Sequence, residues 1–208
     1  SALRFGLAMI LLDGKKLAQR IVADLKTEVA AAKKKLRLAG VVVGEDPVVR
    51  SFIREKKKAT ESVGIEVRIY PFAAGITTNE LRKRIAEIVH EKKNTGVIIQ
   101  LPLPPQINRQ YILNAIPPEK DADVLSARAI GNFAVGKSPI FPPVVGAIKA
   151  LFEEYKIDYA EKTIAVVGAG NLVGRPVMLW LMQEDATVML ITEKTVNPER
   201  LLVQADII

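Results

Sequence analysis

The chain has 208 residues, 49% of them apolar, and a formal net charge of +7 from 30 Lys plus Arg against 23 Asp plus Glu. It contains no cysteine, which excludes a disulfide framework and thiolate metal sites, and no other metal ligand set stands out. Lacking a run of about eighteen apolar residues and a signal-peptide pattern, it reads as a soluble cytoplasmic chain, and its scattered basic residues with 5% aromatics argue against nucleic acid and membrane partners.

Apolar runs alternate with helix-length segments along the chain, the pattern of an α/β fold. The spacing predicts helices over 15–35, 47–63, 79–92, 109–115, 145–155 and 172–183, and strands over 39–43, 66–70, 96–99, 163–167 and 187–191. The lone His90 falls late in the third helix and reads as a C-terminal helix residue rather than a ligand.

Asp46-Pro47 is a helix start, an N-cap carboxylate followed by the residue best tolerated in the first turn. Within that helix Phe52 and Lys56 lie four residues apart, so an aromatic ring and an ammonium share one face and suit a flat polar ring. The plainer reading is a solvated Lys56-Lys57-Lys58 face with Phe52 in the core. The strand at 96–99 ends on Gln100 and enters a proline-rich turn, Leu101-Pro102-Leu103-Pro104-Pro105, at the C-terminal strand edge where α/β sheets meet ligands. Further on, Lys120-Asp121-Ala122-Asp123 puts two carboxylates two residues apart; extended backbone would point both to one side, and one of them can serve simply as a cap.

Three prolines within positions 139–143 mark a domain boundary at Pro143, giving domains 1–143 and 144–208 with a hinge helix at 144–155. The second domain opens with a buried strand, a glycine turn at Gly168, Gly170 and Gly174, and a helix. Such a turn lets backbone amides and a helix N-terminus face a pyrophosphate. Its spacing is one residue longer than G-x-G-x-x-G, and tight strand-to-helix packing alone would also call for these glycines.

The helix carrying Phe52 and Lys56, the Gln-Leu-Pro-Leu-Pro turn and the Lys-Asp-x-Asp segment together resemble the bifunctional methylenetetrahydrofolate dehydrogenase/cyclohydrolase family. The likeness runs from residues 10–15 through 43–47 to 203–207. It implies two α/β domains flanking a cleft, an N-terminal folate-binding catalytic domain and a C-terminal Rossmann-like domain for NAD or NADP. By the resemblance, Lys56 is the catalytic ammonium, Gln100 positions it, and Asp123 holds the pterin's amino edge. Phe52, Ile53, Arg54, Glu55, Ile99 and Leu101 complete the folate contacts. Gly168, Ala169, Gly170, Asn171, Val173, Gly174, Arg175 and Glu193 form the dinucleotide site, and no metal is implied. The expected reaction oxidises methylenetetrahydrofolate to the methenyl form and hydrolyses that to 10-formyltetrahydrofolate.

Several positions depart from the family. Phe52 stands at a usual tyrosine, Val49 at a usual serine and Val124 at a usual glycine, while Ala169 and Gly170 occupy positions where many members carry arginine and serine for the extra phosphate of NADP. Glu193, 23 residues after Gly170, fits a ribose-binding carboxylate, so NAD is expected over NADP; Lys194 beside it works against this, and a solvated loop residue is the plainer reading. The family continues beyond the elements seen here, which makes 144–208 the first part only of a Rossmann-like unit, and the open sheet edge with the resemblance points to a homodimer. Two alternatives stay open at this level: a non-catalytic folate or nucleotide binder, and a two-domain dehydrogenase for another small substrate such as a shikimate-like acid.

Overall fold

The computed structural model describes residues 9–208. Two parallel sheets organise it, one in each half of the chain. In the first, β1 (Arg37–Val43) lies between β2 (Glu66–Phe72) and β3 (Gly96–Ile99). In the second, β4 (Thr163–Val167) pairs with β5 (Thr187–Ile191), Thr163 opposite Thr187 and Val167 opposite Ile191. Each connection between parallel neighbours crosses through a helix, so the C-terminal ends of the strands in each sheet share an edge.

The helices are α1 (Gly14–Ala31), α2 (Pro47–Ser62), α3 (Thr78–His90), α4 (Arg109–Leu113), α5 (Ala127–Ala134), α6 (Pro143–Glu154), α7 (Gly174–Gln183) and α8 (Pro198–Leu202), with a 3₁₀ turn at Pro118–Lys120. All five strands and six of these helices fall where the sequence places them, with shifted ends. The first helix stops at Ala31 rather than 35, because β1 starts early at Arg37 and takes residues 32–36 for the connection. Arg37 anchors that start: its guanidinium meets Glu66 and Glu91 at 2.8 and 2.9 Å, and its N–H donates to the Thr95 hydroxyl. The second strand runs past Tyr70 through Pro71, which is tolerated because β2 pairs on one side only. The fourth predicted helix closes at Leu113 instead of 115, and His90 is the last residue of α3, whose start is a capping box between Thr77 and Glu80.

Short elements are what the sequence reading misses. The 3₁₀ turn, α5 and α8 span three, eight and five residues, too short for a readable helical period. For α5 a local signal exists in Ser126, whose hydroxyl accepts from the Ala129 N–H at 3.2 Å.

Two apolar cores follow the two sheets. The first gathers Ala39, Val41, Leu81, Ile85, Val97, Ile99 and Ile112 between β1, β3 and their helices. The second surrounds Trp180 and Val145 with Ile164, Val177 and Leu181, and Phe152, Tyr159 and Trp180 stack with ring centroids 5.0–6.1 Å apart. Val124, Ala129 and Phe133 belong to this second core although they precede Pro143. The turn before α5 and α5 itself thus tie the first sheet's strand ends to the second half of the chain.

Candidate functional site

The phase of α2 decides which of its residues meet the cleft. Asp46 caps it by accepting from the Val49 N–H at 3.2 Å. One face then carries Phe52 and Lys56 to a cavity of about 750 Å³. The adjacent positions go elsewhere. Ile53 turns toward Gly40 of β1, while Arg54 and Glu55 are exposed and face each other at 3.7 Å. Of the five residues expected from this helix, Phe52 and Lys56 are brought to the cavity; Ile53, Arg54 and Glu55 are not, because a helix shows one stripe to one ligand.

The end of β3 forms the adjoining wall, where Ile99, Gln100 and Leu101 all line the cavity. The Gln100 N–H continues the sheet by donating to the Val41 carbonyl at 2.9 Å, and the Leu101–Pro102 peptide is cis. The Gln100 side chain is nearly buried. Its Nε2 donates to the Leu101 carbonyl at 2.9 Å, and its Oε1 is buried without a hydrogen-bond partner among the described residues. An unmet buried acceptor of this kind costs about 1–3 kcal/mol.

The two carboxylates of 121–123 diverge, contrary to an extended reading of that segment. The backbone turns at this point, and Asp121 accepts from the N–H groups of Leu125 and Ser126 at 3.0 and 2.7 Å, capping the turn from a buried position. Asp123 alone faces the cavity, its Oδ2 3.6 Å from Lys56 Nζ. Burial pushes the Asp123 carboxyl above its ordinary pKa; the Lys56 ammonium pulls the other way and the Asp121 charge adds to the rise.

Across the cavity from this group stand Asn171, Leu172 and Arg175 of the glycine turn and α7. Gly168 has φ +104°. A methyl on Gly174 would overlap the Gly168 carbonyl oxygen, whereas one on Gly168 or Gly170 would meet nothing within 4 Å. The turn is therefore tight inside and open outside, which suits a backbone cradle for a phosphate group. Residues 171–173 stay in this turn, so α7 begins at Gly174 and not at 172 as its apolar pattern suggests. The Arg175 side chain donates through Nε to the Ala169 carbonyl at 3.0 Å. Of the residues expected at the dinucleotide site only Asn171 and Arg175 line this cavity; Gly168, Ala169, Gly170 and Gly174 form the turn behind it, Val173 is exposed in the turn, and Glu193 is exposed just beyond the end of β5.

Residues 12–123 match the catalytic-domain pattern of the tetrahydrofolate dehydrogenase/cyclohydrolases, and residues 142–208 match their NAD(P)-binding domain. The chain belongs to the tetrahydrofolate dehydrogenase/cyclohydrolase family. It is 38% identical over 205 residues to the bifunctional protein FolD of Brevibacillus brevis, covering 97% of this chain and 72% of that one. The crystal structure of the bifunctional FolD methylenetetrahydrofolate dehydrogenase/cyclohydrolase from Campylobacter jejuni superposes with a TM-score of 0.92 at 34% identity, over 96% of this chain and 73% of that one. That of the Trypanosoma brucei enzyme with NADP and an inhibitor gives 0.90 at 26% identity, over 97% and 71%.

As a member of this family the chain carries its departures in distinct settings. Phe52 is 58% exposed at the cavity rim, a ring without a hydroxyl to offer. Val49 is buried, where an apolar side chain fits better than a serine lacking a partner. Val124 has φ +54° and is 2% exposed, a β-branched residue in a conformation that suits glycine. Sequence reasoning passed over Arg109, Gln110, Val124 and Leu172 as cavity residues. For Arg109 a signal was available, since Asn108 caps α4 immediately after the proline turn and accepts from the Tyr111 N–H at 3.1 Å.

Proposed function

We infer that this chain oxidises methylenetetrahydrofolate to methenyltetrahydrofolate with a nicotinamide dinucleotide and hydrolyses that product to 10-formyltetrahydrofolate. The observation carrying this is convergence: Phe52, Lys56, Gln100 and Asp123, from three separate segments, line a cavity that Asn171 and Leu172 of the glycine turn and Arg175, Pro176 and Leu179 of α7 also line. Phe52 offers a flat apolar face to the folate ring system, and the Asp123 carboxylate accepts from the pterin's amino edge. Lys56 holds the proton that the hydrolytic step moves, at Nζ, with Asp123 beside it and Gln100 lining the same cavity. Gly168, Ala169, Gly170 and the start of α7 would hold the dinucleotide's pyrophosphate, with Asn171 and Arg175 toward the folate side. When bound, its nicotinamide ring supplies the acceptor for the hydride lost from the methylene carbon.

NAD is preferred to NADP in this reading. The turn offers no cationic side chain at 169 or 170 for an extra phosphate, and Glu193 follows the second strand as a ribose partner does. The folate domain is taken as 1–143, its first eight residues outside those described, and the cofactor domain as 144–208. The chain acts as a homodimer in the cytoplasm, with neither nucleic acid nor membrane as partner. No helix among the described residues is long and apolar enough to cross a membrane.

Replacing Lys56 tests the reading. The parent should hydrolyse methenyltetrahydrofolate and Lys56→Ala should not, with folate still bound by both. Equal hydrolysis by the two would remove Lys56 from its role, and a parent that binds folate without turning it over would make the chain a binder.

A further inference from the structure

Behind the turn that carries Asp123 lies a second cavity, of about 660 Å³, between the end of α3, the 3₁₀ turn and the start of α5. Its volume is in the range of small-molecule sites. The floor is apolar, built from Val89, Ile116, Pro117 and Pro118. Its charged groups are one-sided: Lys92, Lys120 and Arg128, with His90, against the single carboxylate of Glu119.

Lys92 and Arg128 are exposed at the cavity and open to an incoming anion. Among the other arginines Arg20, Arg37, Arg50, Arg68 and Arg84 face carboxylates, while the Arg109 and Arg200 side chains make no ion pair among the described residues. In this cavity Lys120 donates to the Val89 carbonyl at 2.6 Å, but Lys92 and Arg128 make no ion pair or hydrogen bond among the described residues. They come from different elements, one just after α3 and the other in the first turn of α5. An occupant with two separated negative groups on a partly apolar body would meet both cations and cover the floor.

We propose that this cavity is a binding site for an organic polyanion bearing carboxylate or phosphate groups. Two sources share that chemistry. One is a free small molecule. The other is the oligoglutamate tail of a folate seated in the first cavity, since Ala127 lines both cavities and Gln110 of the first donates to Asn114 of the second at 2.9 Å. The second source rests on the folate reading above; the first does not.

The test uses the whole chain and its Lys92→Gln/Arg128→Gln double variant, neither residue lying in the first cavity. Calorimetric titration with inorganic pyrophosphate, citrate and tri-γ-glutamate reads the free source. Binding by the parent that weakens at least tenfold in the variant supports it. The KM ratio between mono- and triglutamyl methylenetetrahydrofolate reads the tail: a lower KM for the triglutamyl form in the parent, lost in the variant with kcat unchanged, assigns the cavity to the tail. No binding of any probe together with equal KM values overturns the proposal, as does binding that the double variant leaves intact. Titration needs no turnover, so an inactive chain would count against the folate reading without deciding this one.

Discussion

Lys56 on α2 and Asp123 in the turn before α5 bring an ammonium and a carboxylate to 3.6 Å on the wall of one cavity. Their settings differ: the Lys56 side chain is 42% exposed and that of Asp123 21%. The pair is held from two sides, by the helix phase that Asp46 sets and by the turn that Asp121 caps.

The raised pKa of Asp123 makes a signed prediction. A carboxyl whose folded pKa lies above its unfolded value binds its proton more tightly in the native state, so its charge opposes folding at neutral pH and that opposition fades on acidification through the raised value. Asp123→Asn should therefore match or exceed the parent's melting temperature near pH 7, with the parent recovering relative to it as pH falls. Folate affinity should drop meanwhile. Thermal melts across pH, paired with folate titration, check both, and unchanged affinity would discard the pterin-holding role.

Val124 predicts an order of stabilities. Its left-handed backbone costs a β-branched residue about 1–3 kcal/mol, while burying its side chain contributes about 1.5–3 kcal/mol. In Val124→Gly the two changes offset, leaving stability within about 1 kcal/mol of the parent. Val124→Ala loses the contact yet keeps a Cβ in that conformation. Denaturant melts should place the alanine variant below the glycine variant; the reverse order would mean that the strain at 124 is small.

Gly174→Ala would drive a methyl into the Gly168 carbonyl oxygen. The turn must open to admit it, at a cost of about 1–3 kcal/mol, and dinucleotide affinity should fall with it. Gly170→Ala meets no neighbour on the protein side and should be tolerated in stability. Melts and dinucleotide titration of the two variants separate a packing glycine from one that serves a ligand.

Phe52→Tyr should favour hydrolysis more than oxidation. By the family resemblance the added hydroxyl would assist Lys56, a hydrogen bond worth about 1 kcal/mol or roughly fivefold in rate. Measuring both partial activities in the variant checks this, and a purely oxidative gain would point to ring stacking instead.

Residue spacing together with the family resemblance made part of this arrangement legible. Phe52 and Lys56 at a separation of four share a helix face, and a strand ending on Gln100 before prolines places an amide at the sheet's ligand-binding edge. Spacing could not say that Ile53 faces β1 or that Asp121 would be taken by backbone N–H groups, because both depend on packing between distant segments. It also missed α5, an eight-residue helix containing Gly131 and Asn132, whose place is set by Ala129 and Phe133 joining the second core. The glycine turn read correctly as strand, turn and helix, but the helix began late since only contact with Gly168 fixes Gly174 as its first residue.

Whether this chain is a folate-dependent dehydrogenase is decided by nicotinamide reduction with methylenetetrahydrofolate, run with NAD and NADP side by side and repeated on Glu193→Gln. Reduction is expected with both, with a higher kcat/KM for NAD and a narrowing of that preference in the variant. Folate binding with no reduction of either dinucleotide would contradict the dehydrogenase reading.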